Sequence, residues 1–347
     1  MALNKPLVYV IILNYNGKKY LGACLFSILR QTYSNYKVIV FDNASSDGST
    51  DFIASSFPSV IILKSKSNLG FAEGNNKAIQ FALDQKADYI FLLNNDTQVE
   101  PNLLEELVAR GQIDSSIGII GPSIYDYNNR TLLQEAGMTI DRFGFPIPIN
   151  CVSAKHNASE PLFVSGCALL VKAIVFKSIG LFDSTYFMFA EDLDLCWRTQ
   201  LAGYRVVIND MSCIYHASGG SMSGGVAKAK RYSTDVRRVF LREKNTLRTL
   251  IKNYDINNLS KIFPLYLLLL SLESAMWLVL LKPRVCLCIL KAIIWNITVL
   301  PDTLKQRQQV QFIRKLSDEN ITQKMFNSYG KLYVFRLIKI PRFTSSK

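Results

Sequence analysis

Histidine is scarce in this 347-residue chain: there are two, His156 and His216. Seven cysteines (Cys24, Cys151, Cys167, Cys196, Cys213, Cys286 and Cys288) form no C-x-x-C pair and no zinc-type spacing, which excludes a structural zinc fold. Their number is odd and most lie in apolar runs, so reduced, buried thiols of a cytosolic compartment are expected. G-x-G-x-x-G and Walker-type loops are missing, which weighs against a dinucleotide fingerprint and a P-loop. Internal repeats and low-complexity tracts are missing too. The opening run "LVYVIIL" is too short for a signal-peptide core and enters "NYNG" without a cleavage-type site, so no signal peptide is expected. Acidic residues are few in the last third: from Val226 onward lie 23 of the 40 Lys+Arg but only 7 of the 27 Asp+Glu. A near-neutral body thus precedes a basic, apolar tail, a combination that suits a membrane surface or nucleic acid.

What is present is an alternation of strand and helix. Leu7 to Leu13 is a continuous β-branched run, as a strand buried on both faces requires. Tyr20 to Gln31 has helical spacing, and Lys37 to Phe41 is a second strand. Asp51 to Phe57 reads as a helix, Val60 to Leu63 as a strand, Lys77 to Asp84 as a helix and Tyr89 to Leu93 as a fourth strand. This order predicts an α/β fold with a mostly parallel sheet, whose ligands gather at the strands' C-terminal ends. A helix over Leu103 to Arg110 and a strand near Gly118 to Gly121 follow, and 125–160 reads as irregular. "FVSGCALLVKAIVFKSIGLFD" resumes a strand and a helix, and "FAEDLDLCWRTQLAGYRVVIND" a helix and a strand. The expected divisions are a catalytic domain over 1–225, a basic helical connector over 226–260 and an apolar, basic helical region over 261–347. In the last, "IFPLYLLLLSLESAMWLVLL" is barely long enough to span a bilayer and carries Glu273, and "VCLCILKAIIWNITVL" is too short and carries Lys291. Basic residues flank both runs on every side, without the one-sided bias of a span. Helices lying in the interface are favoured over a span or hairpin, or over helices packed on the domain.

Polar clusters close the strands. Asp42 could accept from a base N–H or a ribose hydroxyl, and equally could cap a turn in "DNASSDGST". "SNLGFAEGNN" offers Gly70 and Gly74 for close backbone approach before a helix N-terminus that favours an anion. In "LLNNDT", Asp96 supplies one carboxylate for a hard divalent ion, with Asn94 beside it; a simple turn is the alternative. "FAEDLDLCWR" sets Glu191, Asp192 and Asp194 at a helix start after an apolar segment, where a carboxylate can be tuned as a base or can simply favour the helix dipole. Arg198 is spaced as an i,i+4 partner of Asp194. His216 ends a strand before a Ser/Gly-rich loop, a plausible ligand position.

Taken in order, "NYNG", "DNASSDGS", "SNLGFAEGNN", "LLNNDT", "FMFAEDLDLCWR" and "HASGGS" closely resemble the family 2 inverting glycosyltransferases of GT-A fold, nearest their rhamnosyltransferase-like branch. The resemblance covers about Leu7 to Gly220. It implies that Asn14 and Tyr15 line the nucleotide pocket, that Asp42 binds the base, and that Asn68 and Gly70 sit by base and ribose. Asn94 and Asn95 would join the donor-binding set. Asp96 would match the last carboxylate of the family's D-x-D and, with His216, hold Mg²⁺ or Mn²⁺ on the diphosphate. The first Asp of that motif is Asn94 here, which places more weight on His216. Asp192, in the family's E-D pair with Glu191, would be the base. The implied partners are a nucleotide-diphosphate sugar, rhamnose favoured, and a lipid-linked or glycan acceptor of cell-surface polysaccharide synthesis. The expected site of action is the cytoplasmic membrane face, with the tail docked on anionic lipid. Transfer straight to polyprenyl phosphate and a non-catalytic sugar-nucleotide-binding subunit are alternatives. Nucleic acid is not an expected partner, because the tail's charges alternate with long apolar runs rather than lining an aromatic, polar groove.

Overall fold

The computed structural model describes residues 5–152, 160–217, 227–228, 231–338 and 342–344. The first half is built from β1 (Val8–Asn14), α1 (Lys18–Ile28), β2 (Tyr36–Asp42), α2 (Ser49–Ser56), β3 (Ile61–Lys64), α3 (Gly70–Asp84), β4 (Tyr89–Asn94), β5 (Thr97–Val99) and α4 (Leu103–Ile113). The chain then forms β6 (Ile117–Asp126), three short strands β7 (Leu133–Glu135), β8 (Met138–Ile140) and β9 (Pro146–Pro148), and the single turn α5 (Ile149–Val152). After these come β10 (Ala168–Lys172), α6 (Ala173–Ile179), α7 (Glu191–Leu201) and β11 (Arg205–His216). Two further strands, β12 (Ala227–Lys228) and β13 (Arg231–Asp235), lead into α8 (Val236–Asn253), α9 (Ile256–Val279), α10 (Pro283–Thr298), α11 (Leu300–Ile313), α12 (Asp318–Thr322), α13 (Gly330–Ile338) and β14 (Arg342–Thr344).

Strands β3, β2, β1 and β4 lie side by side and parallel, and the sheet continues through β10, β6, β11 and β5, with β7 on β6. β10 runs antiparallel to both neighbours, and the expected mostly parallel sheet carries its antiparallel pairs beyond β4. Alternation along each strand feeds two cores. Tyr9, Ile11, Ile90 and Leu92 point to one face, and Val8, Val10, Ile12, Phe91 and Leu93 to the other, as the two-residue period of a strand demands. Register places Asn14 beside Asp42 and Leu13 beside Asn94, so three polar strand ends meet on one edge.

Two expectations are corrected. Helix α3 starts at Gly70 rather than near Lys77. "FAEGNN" forms its first turns because Ala72, Gly74, Asn75 and Asn76 are buried against the sheet and the 182–187 loop; tertiary packing here overrides glycine's weak helix propensity. The irregular 125–160 segment contains β7, β8 and β9. Within the basic connector, helix α8 turns part of its charge inward. On α8, Arg248 pairs with Asp183 (2.7 Å) and Asp302 (2.6 Å), and Lys252 with Asp183 (2.8 Å) and Asp194 (3.0 Å), with both cations buried.

The C-terminal helices share the main core: Leu247, Leu250, Tyr254, Tyr266, Leu270 and Trp277 belong to the same cluster as Tyr9 and Ile11. Helix α9 begins at Ile256, and by length and composition alone it could cross a membrane. Glu273, the acid inside its apolar run, is paired with Lys331 of α13 at 2.8 Å. α10 and α11 meet at a 69° bend.

Candidate active site

A cavity of about 1070 Å³ opens along the polar edge of the sheet. At one end it is walled by Tyr15, Asn16, Asn43, Asn68 and Gly70, and its centre holds Asp96, Glu135, Glu191, Asp192 and His216. Asn94 and Asn95 line it as well. Asn14 and Asp42 do not. The Asn14 amide donates to Asp42 (3.2 Å), Ser45 Oγ (3.1 Å) and Ser49 Oγ (2.9 Å), and its oxygen accepts from Asn95 (2.8 Å). Both residues are buried and tie the ends of β1, β2 and β4 together beneath the cavity floor.

Asn43 was not singled out from the sequence, where it looked like one more turn residue. Its amide donates to Asn68 Oδ1 and to the Gly70 carbonyl (both 3.0 Å), and its Oδ1 accepts from the Leu69 amide (2.8 Å). It therefore fixes the "SNLG" turn. Gly70 has φ +79°, and a Cβ there would lie 2.5 Å from the Phe187 carbonyl oxygen. The close approach expected of this glycine is to protein backbone.

Asp96 sits in the tight turn between β4 and β5, and β5 pairs with the end of β11 so that Thr97 faces His216. His216 Nε2 lies 3.3 Å from Asp96 Oδ1. Burial works against a charged imidazole, but its interactions with Cys167 and with the Asp96 carboxylate beside it hold its pKa well above the ordinary value. Among the described residues no three His, Cys, Asp or Glu side chains gather as a self-sufficient metal site. One carboxylate beside one imidazole fits a divalent cation that takes its remaining ligands from substrate oxygens and water. The Ser/Gly-rich loop after His216 lies outside the described residues, as does His156.

Asp192 opens α7, and its carboxylate accepts from the amides of Gly166 (2.9 Å) and Leu193 (2.8 Å). Burial raises its pKa, and burial together with the Asp192 charge raises that of Glu191 much further. Glu191 Oε2 is buried without a hydrogen-bond partner, as suits a carboxyl kept protonated. Glu135, hidden from sequence reasoning in the irregular segment, stands in the same wall. It accepts from the Ser165 amide (3.2 Å), so successive amides of one turn hold Glu135 and Asp192. Burial, then the Asp192 charge, push Glu135 up to about 8.

The loop leading into α7 is strained. Phe187, Phe189 and Ala190 have φ of 60°, 73° and 65°, a region that costs non-glycine residues about 1–3 kcal/mol each. The structure that holds it comes from α8. Asn245 Nδ2 lies 2.6–2.9 Å from the carbonyls of Tyr186, Met188 and Phe189. Arg237 stacks on Phe187 and Arg238 on Phe189. Asp194 and Arg198 form the expected pair (2.8 Å), fully inside, with Arg198 also donating to the carbonyls of Ile179 and Leu181. Arg198 is thus a brace for the loop's base.

The family model for glycosyl transferase family 2 matches residues 9–169, the stretch that builds this edge. The chain carries a family 2 glycosyltransferase domain. This family 2 domain is 31% identical over 202 residues to the uncharacterized glycosyltransferase RT0329 of Rickettsia typhi, covering 56% of this chain and 58% of that protein. It is 26% identical over 229 residues to the N-acetylglucosaminyl-diphospho-decaprenol L-rhamnosyltransferase of Mycobacterium tuberculosis, covering 60% of this chain and 75% of that one. The match spans 31% of a Rickettsia felis glycosyltransferase and 58% of the Rickettsia typhi protein, so it takes in only part of the first relatives' lengths. Among solved structures, GalNAc-T7 with UDP, GalNAc and Mn²⁺ superposes with a TM-score of 0.57 at 15% identity, over 73% of this chain and 49% of that one. Staphylococcus aureus TarS gives 0.51 at 15% identity, over 75% and 43%. These likenesses show the fold of the family 2 domain, a GT-A-type α/β architecture with a helical C-terminal region.

Proposed function

We propose that this protein is an inverting glycosyltransferase that moves a sugar, rhamnose in the first instance, from a nucleotide-diphosphate donor to a lipid-linked or glycan acceptor. The observation that carries the reading is one cavity in which the Asn43–Asn68 turn, the Asp96–His216 pair and the Asp192 carboxylate face a common space. Asp96 and His216 would hold a divalent cation, which when bound supplies Lewis-acid neutralisation of the departing diphosphate. Tyr15, Asn68 and Asn95 would position the donor. Asp192 would take the proton of the acceptor hydroxyl as that oxygen forms a bond to the anomeric carbon. The bond to the diphosphate breaks in the same step, and its electron pair leaves on the diphosphate. A single in-line displacement inverts the centre. Glu191, kept neutral by burial, adds no second charge to repel the nucleophile.

Action at an anionic membrane face belongs to the same proposal. Leu265, Leu268, Leu272 and Val279 point outward from α9, and Leu290, Ile294 and Ile297 from α10. Lys261, Arg284, Lys291 and Lys305 are exposed around them. An apolar face with a basic margin suits the headgroup boundary.

The test is calorimetric titration with a panel of nucleotide sugars, with and without Mn²⁺, in wild type and Asp96→Ala. Metal-dependent binding of one donor that Asp96→Ala abolishes supports the site and names the donor; metal-independent binding that survives the substitution sinks the Asp96 assignment.

A further inference from the structure

Three successive residues of one turn touch every part of the candidate reacting centre. The Ser165 amide donates to Glu135 Oε1 (3.2 Å) and the Gly166 amide to Asp192 Oδ2 (2.9 Å). Cys167 follows. Its side chain is hydrogen-bonded to the His216 imidazole, and its carbonyl accepts from the Asn94 amide (2.8 Å), two residues before Asp96. Glu135 stands beside both ends of this arrangement. The charges of Asp192 and His216 each act on it, and the side-chain amide of Gln134, its neighbour on β7, donates to the His216 carbonyl (3.3 Å). Pairing of Glu135 with Ile124 of β6 fixes the strand that carries it. Two carboxyl groups besides Asp192 thus share this wall, and they differ in access. Glu191 is buried, its Oε2 included. Glu135 is only half-buried and lines the cavity, and its Oε2 is engaged by no described residue.

In an in-line displacement the attacking and leaving oxygens lie on opposite sides of the anomeric carbon. A sugar in transit therefore lies between Asp192 and the Asp96–His216 pair, against the Ser165–Cys167 turn and within reach of Glu135. We infer that Glu135 reads a hydroxyl group of the transferred sugar and so helps to set which sugar the enzyme accepts. The inference rests on the reading of Asp192 as the base and of Asp96 and His216 as the diphosphate end. A sugar hydroxyl both donates and accepts a hydrogen bond, and a carboxyl group that carries its proton answers in both senses. Burial and the Asp192 charge keep that proton on Glu135 at neutral pH. A site that hydrogen-bonds a hydroxyl rejects the sugar lacking it, because its own polar group is then left unmet.

The experiment uses the full chain with Mn²⁺ and no acceptor. Calorimetry compares dTDP-rhamnose with dTDP, and UDP-glucose with UDP, in wild type, Glu135→Ala, Glu135→Gln and Glu135→Asp. The quantity read is the affinity for the nucleotide sugar relative to its own nucleoside diphosphate, for the pair that wild type binds more tightly. Glu135→Ala is expected to lower this ratio about tenfold and to leave nucleoside diphosphate affinity within about threefold. Glu135→Gln, which keeps a donor and an acceptor, is expected to hold the ratio within about threefold of wild type. An unchanged ratio in Glu135→Ala overturns the proposal, and is the result expected if Glu135 serves the acceptor instead. A fall shared equally by the nucleoside diphosphate, in a variant that melts like wild type, overturns it too, since a general distortion of the site would do the same. Should Glu135→Ala fail to fold, Glu135→Asp decides. It keeps an acid drawn back by one methylene, and its ratio is expected to fall about threefold or more; no change overturns the proposal. Wild type that binds neither nucleoside diphosphate sinks the donor reading itself, whereas binding with an unmoved ratio sinks the role of Glu135 alone.

Discussion

The two halves of this chain expose apolar side chains in opposite ways. Across the sheet-bearing half, Phe26, Ile113, Leu132, Ile174 and Met211 are exposed singly, the ordinary condition of a soluble surface. Of the 23 large apolar side chains exposed among the described residues, 16 lie between Ile256 and Phe312, on α9, α10, α11 and the turn joining α9 to α10. On α9 the inward residues are Ile262, Tyr266, Leu270 and Trp277, and the outward ones Leu265, Leu268, Leu272 and Val279. Both faces are apolar, so composition alone does not divide them; packing does. The buried charges differ as well. In the first half polar strand ends gather around an open cavity, whereas two cations of α8, Arg248 and Lys252, are spent on Asp183, Asp194 and Asp302 inside the protein. Positive charge counted along the tail therefore overstates what a lipid surface meets.

The comparison can be broken in four places. Asp192→Asn removes the carboxylate the cavity is built around; a general base contributes about 10²–10⁴-fold, so transfer is expected to fall by that much while donor affinity stays within a few-fold. An unchanged rate in a donor-transfer assay removes Asp192 from the mechanism. Asp183→Asn breaks the join between the halves, leaving Arg248 and Lys252 short of a buried counter-charge; removing one partner of such a pair costs about 3–5 kcal/mol, readable by urea unfolding. The Asp183 carboxyl is held far below its ordinary pKa, against burial, by Lys252 and Arg248. Its stabilisation is therefore present at neutral pH and fades as acid protonates it, and the wild type's loss of stability below about pH 4 is expected to be blunted in the variant.

Leu268→Glu with Leu272→Glu and Ile294→Glu tests the outward face, each forfeiting about 1.5–3 kcal/mol of apolar burial on vesicles. Co-sedimentation with anionic vesicles is expected to drop more than tenfold at unchanged Tm, while Ile113→Glu leaves it unaltered; equal behaviour of the two would erase the contrast. Deleting the helices is no substitute, because they share the core. The smallest effect concerns pH. Asp192 must be ionised to accept a proton and its pKa is raised by burial, so the acid limb of kcat/KM is expected above the ordinary aspartate range. Glu135 is protonated at neutral pH and ionises near about 8, adding charge beside Asp192; a few-fold inflection there is expected to disappear in Glu135→Gln.

The parallel half of the sheet was legible because strands buried on both faces are unbroken apolar runs, as Leu7–Leu13 and Tyr89–Leu93 show. The strand-end clusters were legible because tight, polar turns follow those runs. What escaped depends on contacts across the chain. Glu135 lies 57 residues before Asp192 and meets it only through the Ser165–Gly166 turn. Asn245 reads as an ordinary helix residue until three carbonyls of a strained loop are found around it. Asp42 and Asn14 were rightly seen at strand ends, but which way each would face was settled by one another, since each satisfies the other below the floor.

One small contact sets how the cavity behaves as a whole. The amides of Phe71 and Ala72, at the start of α3 beside the Asn43–Asn68 turn, donate to the carbonyl of Phe187, in the loop that enters α7. A ligand that shifts the turn drags that loop, and one that shifts the loop drags the turn. On the proposed function, occupancy of one side is therefore expected to change affinity on the other by the same factor in both directions, which donor titration with and without acceptor would read.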